Sequence, residues 1–402
     1  MQYKGSHKPW AAEALSLTPD YSPLGCPLSA RALALLPRDV KFHFYNVNRA
    51  RLTGCPIPLE EHLDDLHRRT LRNNPAAPLQ ELAFRAAYGD YLSVLGRWSG
   101  DTDQLTHGVA MLRSFIKDAS HVSFDDNLET CVRAHLELGT ALVRQGYNEK
   151  DPELLREAVR EISQETHPVR SIDHLPLHAA IHRDLGDAYI GQLHWDDQVV
   201  IDGKALRALG AAIKIFSSLV MADAAGCMRD ELAATKSSLA LAQAWTAGKI
   251  EDGATLDRSL CPHRSRNKLQ DRLRAQSREL CLNVWRAYIH LLNNLALLLE
   301  APDQRRIIPF RWTRTVSNVA FAATALFEAN HDDIEMGKVA EAAFRSVTQM
   351  RPRNKPYLFL EKPELDGWAF AFIHGGAYSL DDHPERFERN VSGLEELANM
   401  AG

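Results

Sequence analysis

Apolar residues recur at spacings of three and four through most of the chain between positions 79 and 349. This is the period of an α-helix that buries one face. Short polar turns containing glycine or proline interrupt the pattern, so it predicts helices joined in consecutive pairs. The predicted pairs are 79–95 with 102–117, 128–145 with 151–165, 177–192 with 203–220, and 310–329 with 333–349. The alternation typical of long paired strands is missing, so the sequence predicts an all-α protein.

Composition divides the chain into four segments. The frequent prolines near the N-terminus leave two short helical stretches, 29–36 and 59–72. Single helices are predicted at 229–248 and 269–299, between the third pair and the last. The predicted segments are an N-terminal cap or docking segment (1–78), three helix pairs (79–225), a further helical array (226–349) and a C-terminal tail (350–402).

Four times, a small residue in one predicted helix is followed nineteen positions later by another small residue in the next helix. These marker pairs are Gly89 and Gly108, Gly139 and Ala158, Gly186 and Ala205, and Ala323 and Ala342. Small side chains at fixed places allow two antiparallel helices to approach closely. Repetition of such a pair is typical of helices stacked as an α-solenoid, which we therefore expect.

The clearest copy, LGTALVRQGYNEKDPELLREAV at 138–159, resembles a tetratricopeptide-type repeat. It is most similar to a long variant with a Gly-x-Ala-Leu helix, an extended turn ending in Asp-Pro, and a Leu-x-x-Ala helix. That variant resembles repeats beside caspase-like or NTPase modules in bacterial and fungal signalling proteins. The resemblance covers about half of the chain and implies a TPR-like solenoid with a partner-binding groove. Because no Walker A motif or catalytic module accompanies it, any effector is implied to be a separate protein.

In a repeat of this type the first helix of each pair lines the groove, and the resemblance implies which positions face it. The predicted partner-binding residues among them are Asp90 in the first copy, Arg133, Thr140 and Arg144 in the second, and Arg183 and Asp187 in the third. Arginine can pair a carboxylate through two parallel hydrogen bonds, which suits a peptide-binding surface. The alternative interpretation is that these positions are simply solvated helix faces.

Two clusters keep an all-α enzyme open as the alternative function. His178 and His182 are one turn apart, as in sites where two imidazoles share a metal ion, but HAAIH lacks the glutamate of a zincin motif. The run FDDNLE resembles the aspartate-rich magnesium site of class I terpene synthases, with Asp125 and Asp126 as ligands. The second metal motif of that family is not found. A partner-facing histidine pair and an acidic helix start explain the same residues, so no metal site is predicted.

Two further patterns carry a chemical and an ordinary interpretation. Cys26, Cys55 and Cys261 precede proline, as in haem-regulatory sites, but the same step is common turn chemistry at a helix start. Residues 263–278 carry six Arg and Lys against one acid, Asp271. This predicts either a basic surface for nucleic acid or an acidic partner, or a helix face that is solvated or paired with acids.

Composition narrows the function classes. A chain of 402 residues that is 45% hydrophobic can bury a large core, and a net charge of −5 argues against a general nucleic-acid binder. Six cysteines are too few for a disulfide scaffold, which favours a reducing cytoplasm. The most apolar stretch, at 291–299, is too short to span a bilayer. We therefore expect a cytoplasmic protein-interaction module with a scaffold or signalling role, a protein or peptide partner, and no cofactor.

Overall fold

A computed structural model describes residues 26–53, 57–70, 78–99, 101–119, 127–164, 175–195, 203–220, 227–252, 266–298 and 310–349. These ranges contain thirteen helices and no strand, which confirms the predicted all-α fold. The helices are α1 (Ala30–Leu35), α2 (Arg38–Thr53), α3 (Ile57–Thr70), α4 (Pro78–Ser99), α5 (Thr102–Ala119), α6 (Asn127–Glu149), α7 (Pro152–Gln164), α8 (Leu175–Trp195), α9 (Lys204–Leu219), α10 (Cys227–Glu251), α11 (Arg266–Leu298), α12 (Phe310–Ala329) and α13 (Ile334–Gln349). None of the described helices is both long and apolar enough to cross a membrane.

The chain divides into two compact units within α8. The first unit holds α1–α7, apart from the last two residues of α4, together with α8 as far as Asp184. The second unit holds α8 from Leu185 onward and α9–α13. The segment boundaries expected from composition, after residues 78, 225 and 349, stay a prediction.

The marker glycines lie where two helices of a pair cross. In three pairs, a Cβ atom added to the glycine would press on a leucine or isoleucine side chain twenty-three positions later. The contacts are Gly89 with Leu112 in α4 and α5, Gly139 with Ile162 in α6 and α7, and Gly186 with Leu209 in α8 and α9. Because the same offset recurs, these antiparallel pairs cross at equivalent places, and each unit is built in a solenoid-like way from such pairs.

Alanine substitution is expected to have opposite effects on stability at a glycine in a tight crossing and at a glycine with open space around it. Gly139→Ala is expected to destabilise the protein by about 1–3 kcal/mol, because its Cβ would overlap Ile162. Gly210→Ala, in α9, has no atom within 4 Å of the added Cβ. It is expected to stabilise the protein by about 0.5–1 kcal/mol, since alanine is the better helix former. Chemical unfolding followed by circular dichroism measures both, and equal effects would mean that the crossing at Gly139 is not tight.

Helices α10 and α11 form a pair that the marker spacing did not reveal. Ser277 Oγ of α11 donates to the Ala240 carbonyl of α10 at 2.7 Å, in the interior of the crossing. Arg274 meets Glu251 at 2.5 Å, so the two helices are antiparallel. On its other side α10 contacts α12, where Asn318 Nδ2 donates to Ser238 Oγ at 3.1 Å.

In the last pair, α12 and α13, the two marker residues differ in burial. Ala323 is fully buried in α12, as predicted, but Ala342 in α13 is only partly buried. Its neighbours Ala340 and Ala343 are the buried small residues of that helix. The second marker residue of this copy is therefore less buried than Gly108, Ala158 and Ala205, and a crossing at Ala323 and Ala342 stays a prediction.

The N-terminal helices extend the array. The sequence predicted α1, and Ser29 caps it by accepting a hydrogen bond from Ala32 N at 3.1 Å. It did not predict α2, which pairs with α3 in antiparallel fashion through an ion pair of 2.9 Å between Asp39 and Arg69. Helix α4 is in consequence buried on nearly all sides from residue 82 to residue 96, with α2, α3 and α5 against it.

The two helices of a pair differ in how they face the solvent. The first helices α4, α6, α8 and α10 are buried over most of their surface, whereas α5, α7 and α9 alternate buried and exposed residues with the helical period. Asp151 begins α7 as predicted, accepting from Glu153 N at 2.7 Å, and Pro152 is its first residue. Many polar residues of the first helices are therefore buried within their own unit. Their hydrogen-bond and ion-pair partners determine whether they are available to bind another molecule.

Candidate interaction face

Polar side chains of α6 and α8 meet inside the first unit. Thr140 Oγ1 of α6 donates to Asp184 Oδ2 of α8 at 3.1 Å. Arg183 Nε donates to the other oxygen of the same carboxylate at 2.7 Å. One carboxylate thus joins two consecutive first helices. We call Glu129, Arg133, Thr140, Arg183 and Asp184 the polar face of this unit.

Arg133 is the most deeply buried charge of the polar face. Its side chain is 1% exposed, and its Nε donates to Glu129 Oε1 at 2.7 Å, one turn earlier on α6. Glu129 is 14% exposed. A guanidinium is expensive to remove from water, so this pair is tolerated only because each charge compensates the other. Arg133 therefore pairs within α6 rather than offering a charge to solvent.

The six predicted groove residues differ in burial. Asp90, Arg133 and Asp187 are buried, whereas Thr140, Arg144 and Arg183 are partly exposed. Burial of the first three is incompatible with the interpretation that all six lie on solvated helix faces. Of the six, the structure brings Thr140 and Arg183 together, through Asp184. Asp187 belongs to the second unit. Their role in binding a partner stays a prediction.

Asp184 is the residue that sequence reasoning missed. It lies two positions before the marker Gly186, and Glu137 lies two positions before Gly139. Both acids are buried. A carboxylate at the same place in two neighbouring copies was a usable signal, because repeated positions occupy equivalent sites in a stacked array.

Helix α1 covers the N-terminal end of the polar face. Ser29 N donates to Thr130 Oγ1 at 3.3 Å, and Thr130 Oγ1 in turn lies 3.3 Å from Ser29 Oγ as a donor. Both residues are buried. Thr130 precedes Arg133 by three residues and therefore lies on the same side of α6. The chain itself occupies this end of the face.

A second polar cluster lies between α2, α3 and α4. His43 Nδ1 of α2 is 3.4 Å from Tyr91 Oη of α4, and its ring meets Phe84 edge-on with centroids 6.0 Å apart. His62 of α3 contributes a fourth ring, whose centroid is 6.5 Å from that of His43. Arg69 lies over Phe84 at 5.5 Å. Aromatic, imidazole and guanidinium groups are thus packed together between these three helices.

Burial controls the charge of this cluster. The pKa of His43 is lowered from 6.5 to about 4, mainly by burial and in addition by the positive charge of Arg69. Asp65 and Asp39 oppose that shift, and His62 adds to it. Burial also raises the pKa of Tyr91. Both side chains are therefore neutral near pH 7, because burial disfavours the charged form of each group.

Of the four residues considered as metal ligands, two lie within the described ranges. His178 and His182 lie one turn apart on α8, and both are partly buried. Within the described ranges, no group of three or more His, Cys, Asp or Glu side chains is placed to hold a metal ion. Asp125 and Asp126, and likewise Cys55 and Cys261, fall outside those ranges.

The basic stretch at the start of α11 is paired with acids. Arg274 contacts Glu251 at 2.5 Å. Arg278 donates to Asp333 at 2.8 Å and to Glu335 at 2.5 Å, and its hydrogen bond with Asp333 raises the pKa of the guanidinium. These two arginines therefore join α11 to the helices beside it, which confirms the acid-paired interpretation for them.

Comparison with protein-family models and with curated proteins finds no match to this sequence. The resemblance to a tetratricopeptide-type repeat therefore has its basis in residues 138–159. The function has to be inferred from the side chains described above.

Proposed function

We propose that this protein is a tetratricopeptide-like interaction module that binds a protein or peptide partner along the inner side of its first helices. The observation that carries the proposal is the convergence of Thr140 and Arg183 on Asp184, which links two consecutive first helices through one carboxylate. We further propose that the module works as a scaffold or signalling component in the cytoplasm.

The exposed part of the polar face suits recognition of a peptide. Arg183 is 16% exposed and is already oriented by Asp184, so little side-chain entropy is lost when it pairs with a partner's carboxylate. Arg144 lies one turn beyond Thr140 on α6 and is also partly exposed. The pair of Arg133 and Glu129 supports the helical conformation of α6, which presents Thr140 and Arg144. The partner is accordingly a segment with an acidic residue.

Charge reversal tests whether Arg183 binds the partner. The full chain carrying Arg183→Glu is immobilised and exposed to extract of the native host, and captured proteins are identified by mass spectrometry. We expect the partner captured by the wild type to be lost, because truncating an arginine anchor costs about 2 kcal/mol or more at a hot spot. Arg156→Glu is the matched control, since Arg156 lies on the outer helix α7 and is 38% exposed.

Each variant is first compared with the wild type by circular dichroism and thermal unfolding. Partner capture that survives Arg183→Glu in a folded protein would exclude the polar face as the binding site. Loss of capture with Arg156→Glu as well would show a nonspecific charge effect and would contradict the proposal equally.

A further inference from the structure

Helix α1 lies on the array as an amphipathic segment with one buried side. Leu28, Ala32 and Leu36, which follow one another at a spacing of four, are buried, and so is Ser29. Arg31, Ala34 and Leu35 are exposed, with Leu35 at 49%. Ala32 lies within the helix, whereas Leu28 precedes the N-cap residue Ser29 and Leu36 is the C-cap residue. The buried apolar residues therefore include one residue of a short helix and one on either side of it.

The segment is too short to be helical by itself. Helix α1 has six residues, whereas isolated helices shorter than about 12–15 residues are marginal in water. Its turn is closed locally, by Ser29 Oγ at one end and by a bond from Leu36 N to Leu33 O at the other. The chain then enters α2 at Pro37, whose carbonyl accepts from Val40 N. Helix α1 therefore depends on its docking site, as a bound peptide does.

Two contacts with Thr130 Oγ1 seat α1, one from the backbone N–H of Ser29 and one to its hydroxyl oxygen. The donor to Thr130 Oγ1 is the backbone N–H of Ser29, a group that any residue except proline offers. Thr130 lies next to the buried pair of Arg133 and Glu129 on α6. A segment from another protein can make the same backbone contact at the same place.

We propose that residues 26–36 act as an intramolecular ligand of α6, and that a partner binds this end of the polar face by replacing them. This inference rests on the proposed function and adds the chemistry of the partner. The partner supplies a short segment with apolar residues at the places of Leu28, Ala32 and Leu36. It carries a serine or threonine at the place of Ser29, whose hydroxyl oxygen accepts from Thr130. Its binding is limited by the fraction of molecules in which α1 has left the site.

Native-state hydrogen exchange of the wild-type chain tests whether α1 leaves on its own. We expect the amides of residues 32–36 to exchange through an opening at least tenfold more frequent than the one that exposes the amides of α6 near Thr130. One shared opening for both helices would overturn the proposal, since α1 would then be an inseparable part of the core.

A reversible crosslink tests the replacement. Ser29→Cys with Thr130→Cys places sulfur atoms where the two hydroxyl oxygens are 3.3 Å apart. Cys131→Ser removes the exposed thiol beside them. The probe is a fluorescent peptide of residues 24–37 in which Cys26 is alanine. It is expected to bind the reduced protein at least tenfold more tightly than the oxidised protein, and the same peptide with Ala32→Asp is expected not to bind.

Equal binding of the peptide to both forms, or no binding to the reduced form, would overturn the inference. Partner capture separates it from the proposed function. Capture that requires Arg183 but is equal for the oxidised and reduced proteins supports the polar face and excludes replacement of α1. Peptide binding that is blocked by the crosslink, with capture insensitive to Arg183→Glu, supports α1 as a ligand and excludes Arg183 as the residue that anchors the partner.

Discussion

Replacing Arg133 with alanine is expected to lower the free energy of unfolding by about 3–5 kcal/mol. The substitution leaves the Glu129 carboxylate, which is only 14% exposed, without the guanidinium that compensates it. It also empties the volume of one of the largest fully buried side chains. Urea unfolding followed by circular dichroism measures the loss.

Two further variants separate lost charge compensation from lost volume. Arg133→Met with Glu129→Leu removes both charges and keeps apolar bulk, so it is expected to recover most of the stability. Arg156→Ala breaks an exposed ion pair with Glu153 and is expected to cost less than about 1 kcal/mol. If Arg133→Ala were as mild as Arg156→Ala, Arg133 would not be buried as described. Charge reversal at Arg133 is for the same reason unsuitable as a binding test.

The stability of the first unit is expected to fall as the pH is lowered from about 6.5 to about 4. The pKa of buried His43 is about 4 in the folded protein against 6.5 in the unfolded chain, so only the unfolded state binds the proton in this range. Stabilisation by the neutral ring is complete above pH 6.5. Its loss approaches at most about 3 kcal/mol near pH 4, at about 1.4 kcal/mol for each unit of pKa difference.

His43→Leu is expected to remove this part of the pH dependence, because leucine fills a similar volume without binding a proton. His290→Leu, on the exposed side of α11, is the matched control. The measurement is the free energy of unfolding at pH 7, 6, 5 and 4, compared between each variant and the wild type. An unchanged difference between wild type and His43→Leu across this range would contradict the burial of a neutral His43.

The helix crossings could be predicted because they depend on a local rule. Wherever two helices must approach closely, a small residue is required, and the sequence repeats that requirement at Gly89, Gly139 and Gly186. The pairing of α10 with α11 was not predicted, because its crossing joins Ala240 to Ser277, which are thirty-seven positions apart rather than nineteen. The spatial rule is the same, but a longer connection hides it from a search for fixed spacing.

Neither helix α2 nor the burial of the polar face could be predicted from local sequence. Helix α2 is rich in aromatic, β-branched and asparagine residues, which are mediocre helix formers. It is held instead by burial of Val40, Phe44 and Val47. Likewise, a sequence alone suggests that charged residues on a helix face the solvent. Only the tertiary structure shows that Arg133 is enclosed with α1 seated beside it on Thr130.

The unequal connections of the helix pairs identify a permissive place for protein engineering. Two residues separate α6 from α7, whereas fourteen separate α10 from α11, yet both pairs cross closely. The geometry of a crossing therefore does not depend on the length of the chain that joins its helices. A reporter domain inserted between residues 252 and 266 should leave both helices in register, and would allow the protein to be followed in cells without altering the polar face.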